Sequence, residues 1–137
     1  MNIKSFLKSG FITGLIIVIS ALSMVPAVGN QMDGVLASRG LPPLSIPAMV
    51  YFCCLSMITG MIIIWLYVIF KNYYGAGIKT AIIVSILLWF FGNVLSSIAL
   101  IAYGFMPVKL TVIGIIWGFF ENLIAGIIGT RFYKDKK

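Results

Sequence analysis

Glu121 is an ionisable residue near the middle of the apolar run 115–134, which reads IIWGFFENLIAGIIGTRFYK. A charged carboxylate at that depth in a bilayer costs several kcal/mol unless it faces water, a polar partner or the interior of a helix bundle. Three roles follow for this residue type. Glu121 joins helices through hydrogen bonds, binds a proton or another cation during transport, or contacts a partner protein or a cofactor.

Other polar side chains are expected at a similar depth. These candidates for an intramembrane polar site are Asn122, Asn93, Ser20, Ser23, Ser56 and Thr59. No Lys or Arg is predicted within the apolar core, so Glu121 has no cation of the chain to pair with. Burial favours the neutral form of a carboxyl group. We therefore expect a neutral Glu121 that donates a hydrogen bond to Asn93 or to a backbone carbonyl.

Few residues of the types used in catalysis or metal binding are present. The chain has three acids and no histidine, and it carries neither a phosphate-binding loop nor metal-ligand spacing. No nucleophile stands beside a base, so we expect no enzymatic activity, no metal and no cofactor. The adjacent Cys53 and Cys54 are interpreted as small packing residues, because neighbouring cysteines form a disulfide only in a strained ring.

The composition is that of an all-α membrane protein. Of 137 residues, 61% are hydrophobic and 9% are charged, and the mean hydropathy is +1.12. Four apolar runs, at residues 6–28, 47–70, 80–103 and 107–131, reach the ~20 residues that a transmembrane helix needs. We predict one membrane domain, residues 1–137, folded as a four-helix bundle. The first run exceeds the ~7 to 15 residues of a signal-peptide core, so it is expected to remain as a helix.

The basic residues predict the orientation of these spans. Eight of the ten lie at the termini or between the second and third spans, whereas Arg39 and Lys109 lie on the opposite side. Cytoplasmic loops carry an excess of Lys and Arg, so both termini are expected to be cytoplasmic. The net charge of +7 therefore indicates contact with the lipid bilayer, and nucleic acid is not an expected partner.

The chain also contains an internal correspondence and one long external loop. Residues 12–18 align with 78–84, and 59–67 with 125–133, which favours two tandem helical hairpins. The external loop 29–46 is predicted to carry a short interfacial helix, with Asn30 as its N-cap and Asp33 in its first turn. Pro26 favours a kink near the outer end of the first span.

Small residues at helical spacing indicate packing faces. Close approach of transmembrane helices requires such residues, and Gly10 and Gly14 form a GxxxG pair in the first span. The predicted stripe in the fourth span places Glu121 on the packed face and consists of Gly114, Gly118, Glu121, Ala125 and Gly129. Aromatic side chains are expected to anchor the cytoplasmic ends in the headgroup layer; they are Trp65, Tyr67, Tyr73, Tyr74 and Tyr133.

Three segments resemble a group of small uncharacterised bacterial four-helix membrane proteins. They are RGLPPLS at 39–45, WLYVIFKNYYGAGIKTA at 65–81 and WGFFENLIAGIIGTRFYK at 117–134. The resemblance covers most of the chain and implies the same topology in a bacterial inner membrane. Gly75-Ala76-Gly77 stands where the turn of that group often has a proline. The resemblance supplies no activity.

Two functions remain open from the sequence. The first is a non-catalytic membrane protein that packs as a homo-oligomer or as an accessory subunit of a larger membrane assembly. The second is a small proton- or cation-coupled transporter or channel that uses Glu121. A dry, hydrogen-bonded Glu121 would favour the first, and a cavity that reaches Glu121 from one side would favour the second.

Overall fold

The computed structural model of the chain describes residues 2–135, which form helices joined by short loops. The helices are α1 (Ile3–Ala37), α2 (Ile46–Tyr74), α3 (Ile78–Trp89), a π-helical turn (Phe90–Val94), α4 (Leu95–Ala102) and α5 (Val108–Arg131). Four stretches of the described chain are long and apolar enough to cross a membrane, with α3, the π turn and α4 forming one of them, Ile78–Ala102. The prediction of an all-helical fold with four helices able to span a membrane is thus confirmed for the described residues, whereas the tandem duplication stays a prediction.

The two ends of the bundle differ, and we name them by their contents. The terminus end carries residues 2–8, 71–79 and 131–135, and the loop end carries residues 29–47 and 103–107. At the loop end the two loops are joined, since Arg39 Nη2 donates to the carbonyl oxygen of Gly104 at 2.7 Å. The same guanidinium lies 5.4 Å from the centre of the Phe105 ring.

Helix α1 continues beyond the predicted end of the first span. It runs without a break to Ala37, through Pro26, so the structure has no separate interfacial helix in residues 29–46. Its 35 residues span roughly 50 Å at 1.5 Å per residue, against a hydrocarbon core of ~30 Å. Pro26 is exposed, and a helix tolerates one missing backbone donor when the flanking turns continue. The prediction of a loop starting at residue 29 was therefore wrong.

The four spans form a closed ring of helices at the level of α3 but not at the level of α4. Helix α1 packs against α2 and α5, and α3 packs against α5 and α2. Beyond the π turn, α4 packs against α5 alone and contributes no buried residue. The buried core accordingly lies toward the terminus end, where it is centred on Ile17, Ile63, Val84 and Ala125.

Helices α1 and α2 cross with their backbones in close contact. A Cβ built on Gly60 would overlap the backbone N and Cα of Gly14 and would lie 2.9 Å from the carbonyl oxygen of Gly10. A Cβ on Gly14 would lie 2.8 Å from Met57 Cα. The predicted packing roles of Gly10 and Gly14 thus have a structural basis, and Gly60 is the partner that sequence reasoning missed.

Helix α5 packs through a small-residue face that differs from the predicted stripe. Gly118 faces the Asn93 side chain, Gly129 faces Thr13, and Ala125 is fully buried. Gly126, which the prediction omitted, faces Ser85. A Cβ on Gly114 would meet nothing within 4 Å, so this residue makes no close approach. The packed face is therefore rotated away from Gly114 and places Glu121 at its edge.

At the terminus end the last residues of the chain dock between α1 and α2. Tyr133 is buried beside Tyr67, with ring centres 6.3 Å apart. Its hydroxyl accepts from the backbone N–H of Asn2 at 3.3 Å. Lys71 Nζ lies 4.6 Å from the centre of the Tyr133 ring and forms an ion pair with Asp135. Tyr67 and Tyr133 are thus core residues, and their predicted role as headgroup anchors was wrong, because each ring packs against the other rather than outward.

The Lys71–Asp135 pair predicts a dependence of stability on pH. The hydrogen bond from the Lys71 ammonium, assisted by its charge, holds the pKa of the Asp135 carboxyl below its ordinary value of 3.8. A lowered native pKa stabilises the fold above the unfolded-state pKa, and this contribution is lost as the pH falls through the native value. We expect wild type and Asp135→Asn to differ modestly in melting temperature at pH 7 and to converge as the pH falls below the native pKa of Asp135. Equal melting temperatures at pH 7 would contradict a stabilising pair.

Candidate functional site

A cavity of about 480 Å³ occupies the loop-end half of the bundle, and we call it the loop-end cavity. Its walls come from α1 and α2, and its inner end comes from α5 and the π turn. The side chains along its length are mainly aliphatic, thioether and aromatic; they include Leu22, Met24, Val25, Met49, Phe52 and Leu55. Its polar lining consists of Asp33, Ser56, Thr59, Asn93, Glu121 and Asn122.

The cavity exists because the ring of helices does not close at this end. The described part of α4 contacts α5 and the π turn but neither α1 nor α2. A π turn inserts an extra residue into a helix and changes the face that continues beyond it. In the third span, α3 therefore packs against α2 and α5, whereas α4, beyond the π turn, diverges from α1 and α2. The space between α1, α2 and α5 is therefore left as a cavity in the loop-end half of the bundle.

Glu121 lies at the inner end of the cavity and is half-buried. Its carboxyl group is next to the hydroxyl of Ser20 on α1. Ser20 Oγ in turn accepts a hydrogen bond from Trp117 Nε1 at 3.0 Å. Trp117 lies one turn before Glu121 on α5, so its indole holds the Ser20 hydroxyl beside the carboxyl group. Within the described residues no hydrogen bond joins Glu121 to Asn93, and the predicted bond between them is absent. Glu121 is thus open to a ligand on its cavity side.

Asn122 is the most deeply buried polar residue of the cavity wall, with 4% of its surface exposed. Its Nδ2 donates to the carbonyl oxygen of Gly118 at 2.8 Å, one turn back along α5. Its Oδ1 has no hydrogen-bond partner within the described chain. A buried acceptor without a partner costs about 1–3 kcal/mol and calls for a donor from outside the fold.

The remaining polar groups of the wall also offer acceptors. Ser56 Oγ and Thr59 Oγ1 each donate to the carbonyl four residues back, both at 2.9 Å, which uses their hydrogens and leaves their lone pairs. Asn93 on the π turn packs against Gly118, so the small residue at 118 allows its amide to reach the cavity. The wall is therefore richer in hydrogen-bond acceptors than in donors.

Charge is distributed unevenly around the cavity. Asp33 lies at its loop end and Glu121 at its inner end, and no Lys or Arg of residues 2–135 lines it. The chain has three acids against ten basic residues, so two of the three acids share one cavity. Asp33 Oδ1 has only one weak contact, with the Leu44 backbone N–H at 3.5 Å. When both carboxyl groups are ionised, such a cavity attracts cations and repels anions.

A second cavity of about 400 Å³ lies along the groove between α1 and α5. It shares Glu121 with the loop-end cavity, and Ser20 and Trp117 line it as well. Ile16, Ile113, Ile116, Phe120 and Ile124 complete its lining. Glu121 is thus the residue at which the two cavities meet.

The structure brings together most of the polar residues that the sequence singled out. Glu121, Asn122, Asn93, Ser56 and Thr59 line the loop-end cavity. Ser20 contacts Glu121 from the α1–α5 groove. Ser23 is exposed and lines neither cavity, and its hydroxyl donates to the Ser20 carbonyl at 2.6 Å. Asp33 belongs to the site and was missed, because its spacing from Asn30 also fits the first turn of a short helix.

Comparisons with protein-family models, curated proteins and solved structures found no match to this chain. The residues of the site themselves are therefore the indication of its chemistry. The described residues hold no group of three or more His, Cys, Asp or Glu side chains that would ligate a metal ion. What the geometry offers is an apolar cavity with acceptors and one ionisable carboxyl at its inner end.

Proposed function

We propose that the protein is a small proton- or cation-coupled transporter in which the loop-end cavity holds the substrate and Glu121 is the ionisable group. The observation that carries this proposal is the position of Glu121 on the wall of a cavity that extends to Asp33 at the loop end. A carboxyl within a membrane span marks an ion or proton pathway when it faces a cavity.

The other function considered from the sequence is a non-catalytic membrane protein that packs into an oligomer or assembly. In that function Glu121 has a purely structural role. That role would need a carboxyl enclosed by hydrogen-bonding partners on the packed face of α5. The packed face instead runs through Gly118, Asn122, Ala125 and Gly129, and Glu121 stands at its edge. The geometry therefore supports a role of Glu121 in transport better than a structural role in joining helices. Association into a homo-oligomer or with other subunits stays a prediction and is compatible with transport.

We further propose that the loop end faces the outside of a bacterial inner membrane and that both termini are cytoplasmic. The support is the eight-to-two distribution of basic residues between the two ends. In this orientation the cavity lies in the outer half of the membrane, and we expect Glu121 to be reached from that side.

Two neighbouring cysteines allow a direct test of this pathway. Cys53 lines the loop-end cavity, whereas Cys54 does not line it and is exposed on the outer surface of α2. A thiol reacts with a methanethiosulfonate as its thiolate, which requires water. Charged, membrane-impermeant trimethylammonium-ethyl methanethiosulfonate is therefore expected to label the Cys54→Ala variant at Cys53 and to leave the Cys53→Ala variant unlabelled.

The side of labelling and its effect are both informative. We expect labelling of Cys53 from outside right-side-out membrane vesicles, and we expect the attached cation to block proton flux in proteoliposomes of the Cys54→Ala variant. Labelling from the cytoplasmic side alone would reverse the proposed orientation. Equal labelling of both cysteines, or unchanged flux after complete labelling of Cys53, would contradict the cavity as the pathway.

A further inference from the structure

We propose that the substrate of the loop-end cavity is an elongated lipophilic amine in its protonated form, with its ammonium group at Glu121 and Asn122 and its apolar chain along the cavity. This proposal rests on the proposed function, because it names the substrate class of the same site. It is carried by three properties of the cavity: its charge, its unpaired acceptors and its shape.

The charge of the cavity selects a cation. Glu121 and Asp33 are the ionisable acids of its wall, and the cationic side chains of the described chain lie outside it. An anionic ligand would meet a carboxylate at each end and would be repelled.

The unpaired acceptors select a cation that donates hydrogen bonds. Asn122 Oδ1 is buried without a partner, and Ser56 and Thr59 have already committed their hydrogens to backbone carbonyls. A primary ammonium carries three N–H donors, which matches a set of acceptors that includes a carboxylate. A quaternary ammonium has the charge but no donor. We therefore expect the cavity to prefer a primary amine to a trimethylated one.

The shape and walls of the cavity select an apolar chain. Ser20, which adjoins Glu121, and Asp33 are thirteen residues apart on α1, or roughly 20 Å along the helix. A volume of about 480 Å³ spread over that length suits a single alkyl chain rather than a bulky ring system. Met24, Met32 and Met49 lie along it, and flexible thioether side chains adapt to apolar ligands of varied shape.

An inorganic ion fits the same observations poorly. Hard cations such as Ca²⁺ take six or more oxygen ligands, and most of this wall is aliphatic or aromatic. The long apolar part of the cavity would also make no favourable contact with a bare ion. A lipophilic amine uses both ends of the site, and Asp33 at the loop end would attract the ammonium before it enters.

Binding is measured with tritiated decylamine and the full chain in nanodiscs of zwitterionic lipid, with empty nanodiscs giving the background. We expect Glu121→Gln to weaken binding roughly tenfold or more, since the change removes the charge and keeps the shape. Asp33→Asn is expected to weaken binding severalfold. Asp135→Asn is the matched control, because it removes the third acid, outside the cavity, and it should bind as wild type does. Circular dichroism checks that each variant is folded.

Competition separates the substrate classes. Unlabelled decylamine should displace the probe best, decyltrimethylammonium should displace it at concentrations roughly tenfold higher, and decanol and decanoate should not displace it. Equal displacement by decanol would show a non-specific apolar slot and would overturn the proposal. Equal displacement by decyltrimethylammonium would overturn the role of Asn122 and the neighbouring acceptors, and unchanged binding in Glu121→Gln would overturn the role of the carboxylate.

The outcomes also distinguish this inference from the proposed function. Proton flux that requires Glu121, with no charge-dependent binding of decylamine, would remove the substrate class and leave the transporter. Binding that requires Glu121, with no flux in proteoliposomes, would leave an amine-binding protein and remove the transporter.

Discussion

Glu121→Gln is expected to reduce proton flux to the level of protein-free liposomes while the fold stays intact. The amide has nearly the same size as the carboxyl group and can keep a contact with Ser20, but it does not bind or release a proton. Because Glu121 is the acid at the inner end of the cavity, no neighbouring carboxyl replaces it there. The measurement is the fluorescence of a pH-sensitive dye inside proteoliposomes after a pH gradient is imposed.

Two controls make this result specific. Asp135→Asn removes an acid from the terminus end, where Asp135 pairs with Lys71, and it should keep the wild-type flux. Melting temperatures of both variants show whether either loses stability. A folded Glu121→Gln protein with wild-type flux would rule out the proposed transport mechanism and would return Glu121 to a structural role.

Gly60→Leu is expected to prevent folding, and Gly60→Ala to destabilise the protein by about 3 kcal/mol. The Cβ of either residue would overlap the backbone of Gly14, which has no side chain that could move aside. Relief therefore requires α1 and α2 to separate. That movement would disturb the core at Ile63 and Ile64, two fully buried residues of α2 that lie just beyond the crossing. The measurement is the SDS fraction at which half of the helical structure is lost.

Gly114→Ala is the matched control for the same substitution. Gly114 also lies within a membrane-spanning helix, but a Cβ there would meet nothing within 4 Å. Alanine has a higher helix propensity than glycine, by about 1 kcal/mol, so this variant should be as stable as wild type or slightly more stable. If Gly60→Ala and Gly114→Ala had equal stabilities, the close crossing of α1 and α2 would not exist as described.

The positions of the four spans could be read from the sequence because hydropathy is a property of each segment by itself. The predicted runs 47–70 and 107–131 agree with α2 (Ile46–Tyr74) and α5 (Val108–Arg131) to within a few residues. The prediction failed at the end of the first span. There the polar stretch after residue 28 has the composition of a loop, but α1 continues through it to Ala37.

The sequence predicted which polar residues lie at a similar level of the bundle, but it did not predict the directions in which their side chains point. Residues near the middle of their spans were expected to lie at one level, and Glu121, Asn122, Asn93 and Thr59 do line one cavity. Which neighbour each of them meets depends on helix rotation. Glu121 was expected to donate a hydrogen bond to Asn93 or to a backbone carbonyl, but its carboxyl group lies next to Ser20, and Asn93 packs on Gly118.

The sequence by itself determined that this chain has four segments long and apolar enough to cross a membrane and that an acid lies near the middle of the last one. Tertiary structure alone decided that a cavity exists and that Asp33 shares it with Glu121. The physical reason is that the cavity arises where helices fail to meet, through the π turn at Phe90–Val94 and the departure of α4 from α1 and α2. Asp33 and Glu121 are far apart along the chain, and the length of α1 together with its packing against α5 brings them into one space.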